Sequence, residues 1–261
     1  MTSNAPNTLH VAIRAAQAAA LIHRSNVGAD LGIKTKSSIT DLVTRVDGES
    51  ERIIREIIGG AFPDHAVLGE EEGQSRAGAS HRWIVDPLDG TLNYAHGFPF
   101  YCVSVALEVE GELQVGVVLD SARGELFTAW RGGGAWLNGA PIRVSEEDVL
   151  RSAMLATGFP YDPAGVLDNI EVFRRVTPKV RAVRRPGAAA LDLSYVACGR
   201  LDGFWELKLN AWDVAAGVLL IREAGGRVTS PSGGPYSVED PVLVSSNGRI
   251  HEALLEALAL T

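Results

Sequence analysis

The stretch WIVDPLDGTLNY, Trp83 to Tyr94, sets Asp86 and Asp89 around a proline directly after an apolar run. Two like charges so close repel, and an apolar core offers them nothing. The segment is therefore either an ordinary polar turn or a seat for a cation. Pro87 drives Asp86 out of helical geometry, so the strand extends to this acid and stops there. Beyond the turn, Gly90-Thr91 can open a short helix whose free backbone N–H groups attract phosphate or another anion. Asp86, Asp89 and the exposed carbonyl of Leu88 make a hard oxygen set. Such a set suits Mg²⁺ or Mn²⁺ and not a thiolate-seeking metal. Taken alone, D-x-x-D is more often a strand end followed by a helix cap.

Other acids shift that balance. Glu70, in Gly69-Glu70-Glu71-Glu72, closes the strand-like run AVLG and can stand beside Asp86, although glutamate runs are usually just solvated. Asp213 opens the apolar helix AWDVAAGVLLIREAGG beside Trp212, where a lone solvated acid is unexpected; capping the helix dipole is its plainer use. KSSITDLVTRVD offers Lys36, Asp41, Thr44 and Asp47, with Asp47 on the first turn of a helix. A charged helix start accounts for each of these singly.

The elements that must position these groups are readable from periodicity. Leu9, Ala12, Ile13, Ala16, Ala20 and Leu21 predict an opening helix to about Asn26. A second helix is expected from about Thr44 to Ile58, with Val46, Ser50, Ile53, Ile54, Ile57 and Ile58 on its apolar stripe and Gly59-Gly60 with Pro63 ending it. EGQSRAGASH reads as a mobile surface loop and RWIVD as a buried strand. YCVSVALEVE, QVGVVLDS and ELFTAWR predict an antiparallel meander, followed by a hairpin turning at Asn138-Gly139. Past Ser145 strands (SAMLAT, VRAVR, GFWELKL, GRVTS, VLVSS) accompany helices near Gly165–Val176, Gly187–Cys198, Ala211–Glu223 and Gly248–Leu258. That alternation predicts a second α/β lobe, residues 146–261, after an N-terminal α+β lobe, residues 1–145.

Composition bounds the function. With 261 residues and 46% hydrophobic content the chain can bury a large core. Its net charge of −8 argues against a sequence-independent grip on nucleic acid. Cys102 and Cys198 sit in apolar runs, which points to reduced thiols and a cytoplasmic setting. The N-terminal stretch lacks the pattern of a signal peptide, and no run reaches the roughly 18 apolar residues of a membrane span.

DPLDGTLNYAHGFPFYCVSVAL, the upstream GEE, GAAALDLSYVACGRLDGFWE and AWDVAAGVLLIREAGG occur in the order found in the inositol monophosphatases. The chain resembles that family, within the lithium-sensitive, Mg²⁺-dependent sugar phosphatases, over nearly its whole length. The resemblance implies an α+β fold of alternating αβαβα layers, with the site between two lobes. It implies that Glu70, Asp86 and the Leu88 carbonyl bind a first Mg²⁺ and that Asp86, Asp89 and Asp213 bind a second. Glu70 with waters would hold a weaker third. Water would attack phosphorus in line, with Glu70 or the Thr91–Asp47 pair taking its proton. Gly90 and Thr91 would hold phosphate oxygens, while Arg184, Gly187, Ala189 and Glu206 would meet the sugar. Ala188 stands where the family usually has threonine or serine, so one hydroxyl is missing. His96 is read as a packing or supporting residue more readily than as a general acid. Arg184 divides nearly evenly between substrate binding and a surface or subunit contact.

Rival phosphatase chemistries lack their motifs here. No Gly-x-x-x-x-Gly-Lys loop occurs, Cys-x5-Arg is absent, and Asp86-x-x-Asp89 is not the Asp-x-Asp of an aspartyl-phosphate enzyme. The expectation is a homodimeric, Mg²⁺-dependent phosphomonoesterase acting on myo-inositol monophosphate. The alternatives are phosphatases for fructose 1,6-bisphosphate, histidinol phosphate or a 3′-phosphoadenosine nucleotide. A rival of another class is a protein that attaches to the transcription machinery and retains the fold.

Overall fold

The computed structural model describes residues 6–35, 42–161 and 163–260; Lys36 and Asp41 lie outside the described residues. The elements run α1 (Asn7–Asn26), β1 (Lys34–Thr35), β2 (Leu42–Val43), α2 (Arg45–Ala61), β3 (Ala66–Gly69), β4 (Gly73–Gln74), β5 (His81–Asp89), α3 (Thr91–Ala95), β6 (Cys102–Val109), β7 (Glu112–Asp120) and β8 (Glu125–Trp130). They continue with β9 (Ala135–Leu137), β10 (Ala140–Ile142), β11 (Met154–Thr157), α4 (Pro163–Val176), β12 (Ala182–Arg184), α5 (Ala189–Ala197), β13 (Gly203–Leu207), α6 (Ala211–Glu223), β14 (Arg227–Thr229), β15 (Val242–Ser246) and α7 (His251–Leu258).

An eight-stranded sheet has the order β10-β9-β8-β7-β6-β5-β3-β4, and a five-stranded sheet the order β12-β11-β13-β15-β14. From β5 to β10 every neighbour is antiparallel, as the meander pattern predicts. Period-two alternation divides the large sheet between two cores. Trp83, Val85, Val103, Val105 and Val117 face α1 and α2, while Ile84, Cys102, Ala106 and Val118 face α5 and α6. The small sheet repeats the device: Phe204 joins the core of α5 and α6, and Trp205 joins that of α4 and α7. Helices and sheets therefore alternate as α-β-α-β-α layers. α5 and α6 lie between the sheets, and their buried small residues allow the close contact. A Cβ on Gly116 would come within 2.8 Å of the Ala216 carbonyl, and one on Gly217 within 2.5 Å of Leu193.

Two expectations are corrected here. The α2 helix passes through Gly59-Gly60 to Ala61. Glycine weakens a helix by roughly 1 kcal/mol without breaking it; the stop comes at Phe62, whose backbone leaves helical geometry at φ −138° directly before Pro63. Nor does β5 stop at Asp86: it continues to Asp89 through a bulge, with Asp86 opposite Ser104 and Asp89 opposite Cys102. The small sheet is mixed, with β12-β11-β13 parallel and β13-β15-β14 antiparallel. Both cysteines are free thiols. Among the described residues, no helix is long and apolar enough to cross a membrane.

Candidate active site

Parallel pairing of β3 with β5 sets Gly69 opposite Val85, so the next residues along, Glu70 just past β3 and Asp86 within β5, are neighbours. The bulge places two β5 residues, Pro87 and Leu88, against Val103 alone and turns the backbone between the two aspartates. Asp86 Oδ1 closes this turn by accepting the Leu88 N–H at 3.0 Å. Gly90, at φ 88°, then begins α3; a Cβ there would lie 2.9 Å from the Phe100 carbonyl.

Two helices deliver the remaining acids. On α2, Asp47 is fully buried. Its Oδ2 accepts the Thr44 N–H at 2.8 Å and the Thr44 hydroxyl at 2.6 Å. Its Oδ1 lies 2.9 Å from Thr91 Oγ1, which also lies 2.9 Å from the Leu88 carbonyl. With a single proton, Thr91 donates to one of these acceptors at a time. Asp213 sits on the first turn of α6, where its Oδ2 accepts the Asn210 N–H at 2.7 Å. Asp89 reaches α5: its Oδ2 accepts the Ala190 N–H at 2.8 Å and the Cys102 thiol at 3.6 Å.

Glu70, Asp86, Leu88, Asp89, Gly90, Thr91, Gly187, Ala189, Glu206 and Asp213 line one cavity of about 400 Å³. The acids act on one another through it. Burial pushes the Asp86 carboxyl well above the usual carboxylate range, and Glu70, Asp89 and Asp213 push it further. Asp89 rises to about 6 through burial, with the Ala190 and Cys102 hydrogen bonds opposing the rise. Glu206 rises to about 8 through burial and then through Asp213 and Asp89, with Arg185 opposing. Carboxylates arranged this way resist ionising together unless cations join them. The donor set is all oxygen, which fits Mg²⁺ or Mn²⁺. Among the described residues, no three acidic, histidine or cysteine side chains close into a ready-made ion cage. The site is an open cleft, and Mg²⁺ in such a cleft keeps waters and substrate oxygens among its ligands.

At the sugar end both arginines are exposed; Arg184 donates to the Val183 carbonyl at 3.2 Å, and its neighbour Arg185 lines the cavity. Gly187, at φ 91°, passes close to Arg185 and Asn93; a Cβ there would lie 2.9 Å from the Arg185 Nη1. Ala188 is the N-cap of α5 and supplies no side-chain hydrogen bond, the structural trace of its missing hydroxyl. His96 is exposed and off the cavity, in neither of the roles considered for it.

Sequence reasoning missed three residues besides Arg185. Asn93 Nδ2 lies 2.8 Å from the Phe100 carbonyl and 2.9 Å from that of Pro186, tying α3 to the loop before α5. Glu51, buried on α2, meets the turn after Glu70. His23, on the buried face of α1, bonds the carbonyl of Pro87 inside the acid motif. Its position three residues after Ala20, on the apolar stripe, was the available signal.

The model of the inositol monophosphatase family matches residues 5–260. An inositol-1-monophosphatase of Rhizobium meliloti is 48% identical over 221 residues, covering 84% of this chain and 83% of that protein. The Nus factor SuhB of Pseudomonas aeruginosa is 44% identical over 257 residues, covering 96% and 95%. Among solved structures, the extragenic suppressor protein suhB of Bartonella henselae superposes with a TM-score of 0.93 at 40% identity, over 97% of this chain and 98% of that one. An inositol monophosphatase from Anabaena (Nostoc) does so with a TM-score of 0.88 at 41% identity, over 97% and 95%.

Proposed function

This chain belongs to the inositol monophosphatase family, and from that premise we propose that it hydrolyses myo-inositol monophosphate to inositol and phosphate in a Mg²⁺-dependent reaction. The observation that carries the reading is the gathering of Glu70, Asp86, Asp89 and Asp213 on one cavity, with burial and mutual repulsion raising Asp86. Glu70, Asp86 and the Leu88 carbonyl would hold one Mg²⁺. Asp86, Asp89 and Asp213 would hold a second, and Glu70 a weaker third. Bound there, the ions would supply Lewis-acid polarisation of the phosphate and a lowered pKa for water.

The side chains do the rest. Thr91 can pass its proton to Asp47, only 2.9 Å away, which frees the threonine oxygen to take one from water. Glu70 is the other acceptor on the cavity. The Gly90 and Thr91 N–H groups would hold phosphate oxygens. Glu206 would accept a ring hydroxyl, with Ala189 and Gly187 leaving room for the ring. Pairing Asp89 and Asp213 with cations would remove the repulsion that adds to burial in lifting Glu206 and would favour its ionised, accepting form. In this reading the protein is a cytoplasmic homodimer and is inhibited by lithium.

Phosphate release is the test, measured across inositol, fructose, histidinol and 3′-phosphoadenosine esters with Mg²⁺ and after chelation. Inositol phosphate should dominate, and equal turnover of histidinol phosphate defeats the assignment. Asp89→Asn and Asp213→Asn should each lower kcat about 100-fold or more, consistent with removal of several kcal/mol of charge stabilisation. The name of the Pseudomonas relative raises a second role in transcription. Binding of a partner that survives Asp89→Asn while turnover is lost would support that role.

A further inference from the structure

Three residues spaced four apart on α2, Asp47, Glu51 and Arg55, each bond a segment that ends in the active site. Such spacing puts them on one helix face. Asp47 meets Thr91. Glu51 is fully buried, and its two carboxylate oxygens accept the backbone N–H of Glu71 at 2.7 Å and of Glu72 at 3.0 Å. Arg55 donates its Nε to Glu51 at 2.8 Å and its terminal nitrogens to the carbonyls of Val67 at 3.3 Å and Gly73 at 2.6 Å. The turn carrying Glu70 is thus held at both edges by Glu51 and Arg55, and Arg55 also pairs with the Glu72 carboxylate at 3.4 Å. The fit leaves no slack: a Cβ on Gly69 would come within 2.3 Å of the Glu51 carboxylate, so glycine is the residue that lets the turn close on it.

We propose that Glu51 is a positioning residue for Glu70, setting the direction in which that acid leaves β3 relative to Asp86. The inference rests on the metal assignment of Glu70 made above. Buried Glu51 is remote from solvent and itself faces backbone amides, so it acts through the turn. A charged acceptor of two backbone donors is a stronger constraint than a neutral one. Through α2, the Glu70 turn and Thr91 are referred to a single rigid element, so the two proton acceptors of the proposed reaction keep a common frame.

The experiment is Mn²⁺ binding to the full-length, metal-stripped protein, followed by electron paramagnetic resonance. It uses wild type, Glu51→Gln, Glu70→Gln and the double variant, with folding checked by circular dichroism. Glutamine presents a single accepting oxygen, so the turn loses one anchor and the ion pair to Arg55. Glu51→Gln should weaken Mn²⁺ binding about tenfold, the scale of losses seen when a group supporting a ligand is removed. In the Glu70→Gln background the same change should cost less than twofold, because its effect passes through Glu70. Binding by Glu51→Gln within twofold of wild type overturns the proposal, as does an equal loss in both backgrounds. If Glu70→Gln alone leaves Mn²⁺ binding unchanged, the ligand assignment fails and the proposal falls with it. Should Glu51→Gln not fold, Arg55→Met tests the same anchor. It should lose about threefold, again only with Glu70 present, and no loss overturns the proposal.

Discussion

His23 Nε2 lies 3.0 Å from the carbonyl of Pro87, and that contact fixes where the ring keeps its proton. A carbonyl only accepts, so Nε2 carries the hydrogen. In the neutral imidazole Nδ1, 2.9 Å from the Ser121 hydroxyl, is then the acceptor. Helix α1 therefore grips the acid motif through a ring that burial keeps neutral. Burial drives its pKa down to about 3, only partly offset by the Pro87 bond.

Acid sensitivity follows. The unfolded chain protonates His23 below its ordinary pKa of 6.5, while the folded chain refuses the proton until about pH 3. Its contribution to stability is complete above pH 6.5 and is lost progressively as pH falls towards 3. His251, held by Thr229 and Ser246 and lowered to about 4 by burial, acts in the same direction. Relative to His23→Gln, which keeps a donor for Pro87, the wild type should lose about 2 kcal/mol more between pH 7 and 5. Denaturant titrations of the metal-stripped proteins at the two values measure this, and parallel curves would refute it.

How far the sequence reached is clearest at the two arginines before Pro186. The resemblance points to Arg184, yet the cavity takes Arg185. Arg184 is the last residue of β12, paired with Ala156, and lies off the cavity. Arg185 is equally exposed but lies past the end of the strand, where the chain turns towards Gly187 and the cavity, and sequence does not reveal where the strand releases the chain. Glu51 and Arg55 were hidden for a related reason: charged residues on a helix read as solvent-facing, and only the docking of the β3–β4 turn buries the first of them. Asp86 and Glu70 were legible because each acid directly follows an apolar strand run in sequence. Parallel pairing then brings them side by side without help from any distant contact.

The choice between the two arginines has a kinetic consequence. Arg185→Ala should raise KM for inositol phosphate about tenfold, some 1.4 kcal/mol of ground-state binding, with kcat within threefold. Arg184→Ala should leave both within twofold. Steady-state phosphate release for the two variants decides between them, and the opposite ranking would return the substrate contact to Arg184.

Gly158 follows β11 and has Glu206 against it: a Cβ at this position would come within about 2.0 Å of the Glu206 Oε1. No side chain fits unless the carboxylate moves, and Glu206 is already a half-buried part of the cavity wall. Gly158→Ala should therefore displace Glu206 without touching Glu70, Asp86 or Asp89. If Glu206 takes a ring hydroxyl in the bound substrate, KM should rise about ten- to a hundredfold while the Mg²⁺ concentration for half-activation stays within twofold, the loss of one hydrogen bond to a charged group. Glu206→Gln should give the same pattern, and combining the two should add little, since both act on one contact. Measuring KM and Mg²⁺ activation for the three proteins tests this. A shift in Mg²⁺ activation larger than the shift in KM would place Glu206 in the service of the cation instead of the sugar.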